Sequence, residues 1–153
     1  MAHDASLTKW TVLSIAKYAQ TVFADNYLFV QGLTFEKNKP PNRFELRYLG
    51  PDIISQTADM STLHITINCQ ICTVRTPDNI EDHLMRVGLA QTFLAQCIPM
   101  YKYGSDSTID DGTQFSIMQQ ISNIETSILG TVDPVTSVER STVEASYKIM
   151  IQE

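Results

Sequence analysis

Residues 61–79, STLHITINCQICTVRTPDN, change period partway along. Leu63, Ile65, Ile67, Cys69 and Ile71 alternate with His64, Thr66, Asn68, Gln70 and Cys72, the two-residue repeat of a half-buried strand. About 13 residues in that repeat span roughly 43 Å, long for a small domain. After Thr76-Pro77-Asp78 the repeat becomes helical. Thr76 is placed to cap free amides, Pro77 to occupy the first helical position, and Asp78 and Glu81 to meet the positive end of the helix dipole. The spacing predicts a second helix reaching about Cys97, with Ile80, Leu84, Val87, Leu94 and Ile98 on its buried stripe. Leu89 and Phe93 fall partly outside that stripe. A helix apolar on more than one side needs a second neighbour, which another subunit would supply.

Upstream of the junction, Val12, Ile15, Ala16, Ala19, Val22 and Phe23 recur at helical spacing, with Ser6 as N-cap and Asp25-Asn26 as terminator of a first helix. A short apolar piece, 27–33, then leads into FEKNKPPNR, where Pro40-Pro41 exclude a central strand and Lys37, Lys39 and Arg43 make the chain's basic spot. RFELRYLG reads as a strand with Phe44, Leu46 and Tyr48 on one side and Arg43, Glu45 and Arg47 on the other. It is expected to pair with 61–73 as a hairpin, DIISQTADM either prolonging it past a bulge or forming the turn.

Downstream, PMYKYGSDSTIDDGTQ (99–114) reads as a solvated acidic loop. It lacks the ligand positions, central glycine and closing glutamate of a calcium loop. QFSIMQQISNIETSIL (114–129) alternates and then slips phase near Ile124; STVEASYKIMIQE (141–153) alternates cleanly. The predicted architecture is one α+β domain over residues 1–153, a four-stranded antiparallel sheet with both helices on one face, in the order αββαββ.

At 153 residues with 43% hydrophobic and 18% charged side chains, the chain supports its own core under a lightly charged surface. Net charge is −6, unevenly placed: residues 1–77 carry 7 basic and 6 acidic groups, 78–153 carry 4 and 11. The acidic half argues against a nucleic-acid-binding face there. Neither a signal peptide nor a membrane span is read, so a soluble protein, intracellular where it is made, is expected.

Candidate chemistry is thin. Cys69 and Cys72 form a C-x-x-C pair, but three positions apart on a strand they point to opposite faces, and Cys97 completes no zinc set. His64 and His83 find no third ligand by spacing, and a Cys72–His83 pair has no further support. No G-x-S-x-G elbow or glycine-rich phosphate loop is present. No enzyme, metal or cofactor is expected. Lys37, Lys39, Arg43 and Arg47, interleaved with Phe35, Phe44 and Tyr48, form a faint stacking platform; an exposed loop meeting an acidic partner surface is the preferred reading. Copies packed head to tail would bring that loop to the acidic half.

The layout of a leading helix, PPNRFELRYLG before LHITINCQICTV, then IEDHLMRVGLAQTFL and the closing VERSTVEASYKIMIQE resembles the tail terminator, or tail completion, proteins of long-tailed bacteriophages. The resemblance spans nearly the whole chain and rests on layout, since the family has no short diagnostic motif. It implies a homo-oligomer, a hexameric ring at the head-proximal end of the tail tube. Such a ring stops tube growth, offers the neck protein a docking surface and passes DNA without reading it. It also implies a virion location after assembly in the host cytoplasm, contact with the tube protein and with a neck or head-completion protein, and none with a membrane. Under this resemblance Lys37, Lys39 and Arg43 become loop contacts; Arg47 of the same basic cluster is expected to join them, and Leu89 and Phe93, outside the main stripe of the second helix, are expected at the interface. The alternatives are another head-tail connector subunit and a small intracellular ligand-binding domain.

Overall fold

The computed structural model describes residues 5–23, 27–30, 40–57, 59–74, 80–104, 110–133 and 138–152. Its elements are α1 (Leu7–Val22), β1 (Leu28–Val30), β2 (Arg43–Gln56), β3 (Met60–Val74), α2 (Ile80–Leu94), β4 (Pro99–Tyr103), β5 (Asp110–Gln120), β6 (Glu125–Asp133) and β7 (Val138–Gln152). The α+β class stands, but the four-stranded sheet in the order αββαββ does not. Six antiparallel strands and the short β1, parallel to β2, form one sheet in the order β1-β2-β3-β7-β5-β4, with β6 also on β7.

The centre is the strand pair whose alternation was unbroken. β3 and β7 pair antiparallel over their full length, from Met60 opposite Gln152 to Val74 opposite Val138. On the outer side of β3, β2 runs from Arg43 opposite Cys72 to Gln56 opposite Ser61, through a bulge at Leu49–Asp52. Gly50 sits in that bulge at φ +99, where an added Cβ would lie 2.7 Å from the His64 carbonyl oxygen, so only glycine fits.

Each missed strand had its repeat interrupted. The phase slip in 114–129 marks two strands: the stretch breaks at Ile121–Ile124, and both pieces lie on β7. β5 pairs with β7 only over Met118–Gln120, and its earlier part pairs with β4. β4 lay inside the segment read as an acidic loop; register shifts around Tyr101 put Met100 and Tyr103, three apart, on the buried side and hid the two-residue repeat. Between the two alternating stretches, 130–133 continue β6 and 138–140 open β7.

Both helices pack on the face carrying Leu63, Ile65, Ile67, Cys69 and Ile71 of β3 and Val143, Ala145, Tyr147 and Ile149 of β7, all buried. α1 is tied to β4: Trp10 Nε1 donates to the Tyr103 carbonyl at 2.7 Å, and Ser14 Oγ accepts from the Tyr101 amide at 2.9 Å. Ser6 precedes α1 but makes no side-chain cap; Asp25 and Asn26 lie outside the described residues. Phe23 stacks on Phe44 at 4.4 Å between ring centroids and meets Phe93 of α2 at 5.3 Å, joining α1, β2 and α2 in one apolar centre. The predicted cap Thr76-Pro77-Asp78 likewise lies outside the described residues. No helix among those described is long and apolar enough to cross a membrane.

Candidate functional site

α2 is turned from the expected orientation. Its inward residues are His83, Val87, Ala90, Phe93 and Leu94, and Leu84 is half exposed. The cause is His83, whose Nδ1 lies 2.9 Å from Thr73 Oγ1 and whose Nε2 lies 2.8 Å from Ser141 Oγ. Two hydroxyls facing inward from β3 and β7 make the imidazole the better-satisfied interior group and leave Leu84 outside. Phe93 is wholly buried, and the second neighbour it needed is α1 of its own chain, through Tyr18 and Phe23. Leu89 is partly buried against the same core.

The histidines and Cys72 do not converge. Thr73, which binds His83, faces the helices, so Cys72 and His64 point through the opposite face of the sheet. Cys69 and Cys72 are both buried, Cys97 is exposed, and burial pushes the Cys69 thiol up, disfavouring thiolate. Among the described residues no three His, Cys, Asp or Glu side chains are grouped to hold a metal ion.

The face away from the helices is polar. Its most constrained group is Glu45, fully buried. Arg43 Nε donates to its Oε1 at 2.9 Å and Arg47 Nε donates to its Oε2 at 2.6 Å, so two cations neutralise one buried carboxylate. Arg43 and Arg47, expected as contacts to a partner, thus first serve their own strand. The Arg43 side chain is 14% exposed and the Arg47 side chain 46%, so Arg47 is the one able to reach outward as well. Lys37 and Lys39 lie outside the described residues.

Next to Arg47 the same face holds a cavity of about 370 Å³, lined by Leu49, Thr66, Asn68, Gln70 and Glu144. Asn68 Oδ1 and Gln70 Oε1 are buried there with no hydrogen-bond partner among the described residues. In antiparallel register Arg47 stands opposite Asn68, Asn68 opposite Glu144 and Glu144 opposite Glu125, a row from one side of the sheet to the other.

Exposed apolar residues lie at both lateral sides of the sheet, besides Met60 and Met150 on the central pair β3 and β7. β1 covers only Phe44–Leu46 of β2, and beyond it Leu49 is 72%, Ile53 48% and Ile54 56% exposed. On the far side are Met85 and Leu84 of α2, Ile128 of β6 and Ile121 after β5, with Met85 75% exposed. Sequence reasoning missed both groups, because Ile53 and Ile54 lay in a segment of uncertain pairing and Leu84 was assigned to the core.

No family model matches the chain, and no curated protein matches it significantly. Among solved structures, one whose designation states no activity aligns over 94% of this chain and 92% of its own, with 11% identity and a TM-score of 0.46. A likeness of that degree carries no functional argument.

Proposed function

We propose that this chain is a ring-forming structural subunit of the tail-terminator type, capping the head-proximal end of a phage tail tube and docking it to the neck. The observation that carries this reading is the placement of apolar exposure. Leu49, Ile53 and Ile54 lie on one side of the sheet, Leu84, Met85, Ile121 and Ile128 on the other. Two unlike patches on opposite sides suit a heterologous contact, which repeats in one direction and closes when the rotation allows. A single patch meeting itself would give a twofold dimer instead.

The layout of leading helix, long hairpin, second helix and closing strands supports the same reading. Termination is then steric: one face of the ring matches the last tube ring, and the other presents no such surface. DNA passes through the open centre and is held weakly, because a chain of net charge −6 gives little counterion release. Tube protein and neck protein are the partners, and the virion tail is the location.

Electron microscopy of the concentrated protein tests the proposal: single-layer rings with an open centre are expected. Long stacked tubes would make it a tube protein, and featureless small particles would remove the ring reading. The polar cavity beside Asn68 and Gln70 favours a second reading, a small-molecule-binding domain. A strict monomer whose melting temperature rises with an added polar metabolite would select it.

A further inference from the structure

Glu125 and Glu144 face each other directly across β6 and β7, and side chains so paired project from one face of the sheet. Like charges opposite one another weaken a strand pair, and among the described residues neither carboxylate has an ion-pair partner. The sheet thus keeps a doubly negative spot at one lateral side. At the other end of the same register row stands Arg47, part of whose side chain remains exposed beyond its bond to Glu45.

The neighbouring row repeats the match. Leu49 pairs with Thr66, Thr66 with Ser146, and the Ser146 carbonyl accepts from the Ile121 amide, so the exposed Leu49 and Ile121 stand level on opposite sides. The row of Ile53, through Leu63 and Ile149, ends at the buried Met118 and carries no such match. In the rows of Arg47 and Leu49, cation meets acid and apolar meets apolar level along the strands.

We infer that the occupant of each side is a second copy of this chain, the Arg47–Leu49 side of one copy docking on the Glu125–Ile121 side of the next. A level joint relates copies by rotation about an axis along the strands with no rise, the relation that closes a ring rather than a filament. Arg47 of the incoming copy then supplies the positive charge that the Glu125–Glu144 pair lacks. This inference rests on the ring reading and specifies its contact.

Two substitutions at exposed positions test it, each read by light scattering and by melting temperature. Glu125→Lys places an amine opposite Glu144, so the fold is expected to melt higher while self-association weakens at least tenfold. A merely structural role for Glu125 would raise the melting temperature without that loss. Leu49→Lys blocks the opposite side. Each variant alone is expected to be monomeric, and a mixture of the two should form a one-to-one dimer, since one side of each remains native. If the wild type forms rings and both variants do too, or if the mixture yields no dimer, the contact lies elsewhere and the inference falls while the ring reading survives. A wild type that stays monomeric at every concentration overturns both.

Discussion

The Tyr147 hydroxyl donates to the Leu94 carbonyl at 2.5 Å inside the core, joining the middle of β7 to the last turn of α2. A helix leaves its final carbonyls without intrahelical partners, and here a strand side chain supplies one. Tyr147→Phe is expected to keep the fold and to cost about 1–3 kcal/mol, the consequence of a buried acceptor left unpaired. Urea unfolding checks it through a lowered midpoint at unchanged slope.

The imidazole of His83 is the second link between α2 and the sheet, bridging Thr73 and Ser141. His83→Leu fills the space but strands two buried hydroxyls, so a loss of roughly 2–4 kcal/mol is expected. Adding Thr73→Val and Ser141→Ala to that variant should recover part of the loss, because no polar group is then left unpaired. No recovery in the triple variant would mean that the hydrogen bonds are not what sets the rotation of α2.

Alkaline titration follows from burial. The Cys69 thiol is raised from an ordinary 9.0 and the Tyr147 phenol from 10.0, in both cases by desolvation. The folded state holds these protons after the unfolded chain has released them, so the unfolded state binds fewer and stability falls as pH rises. The stabilisation is whole below about pH 9 and declines above it by about 1.4 kcal/mol per pH unit for each group once ionised in the unfolded chain. Denaturant midpoints between pH 8 and 11 measure this, and Tyr147→Phe should flatten the part of the slope above pH 10.

Thiol labelling distinguishes the three cysteines. Cys97 is exposed, while Cys69 and Cys72 are buried. A thiol reagent at neutral pH is expected to modify Cys97 promptly in the native protein and the other two only as fast as the chain opens. Prompt reaction of Cys72 would instead show the polar face of the sheet open to reagents, and would revive a chemical role for it.

Phe93 was expected at a subunit interface and proves to lie in the core with Tyr18 and Phe23. Phe93→Ala should therefore cost about 3–5 kcal/mol in unfolding experiments. Met85→Lys, on the exposed side of the same helix, should leave the melting temperature of the unassociated subunit nearly unchanged.

The two 15-residue strands were legible because nothing interrupts their two-residue repeat, and both helices because their apolar spacing is long. β4 escaped because a register shift placed its buried residues three apart, and β1 because three residues carry too little pattern to read. The rotation of α2 was hidden for a different reason. Hydropathy ranks Leu84 above His83 as an interior residue, and only the hydroxyls arriving from β3 and β7, 10 and 58 residues away, reverse that order. Glu45 alternated with the polar side as expected, but its burial depends on two arginines folding back along one strand. The candidate interface was least visible, since level rows appear only once β2, β3, β7 and the segment 121–125 are aligned.

Sedimentation equilibrium over a range of protein concentrations tests the central claim, that two unlike sides of one sheet complete each other between identical chains. With a subunit of 17.2 kDa, a closed six-membered ring has a mass of about 103 kDa, six times that value, and should be reached without accumulation of larger species. A mass that stays at 17.2 kDa, or stops at twice that value, would contradict it.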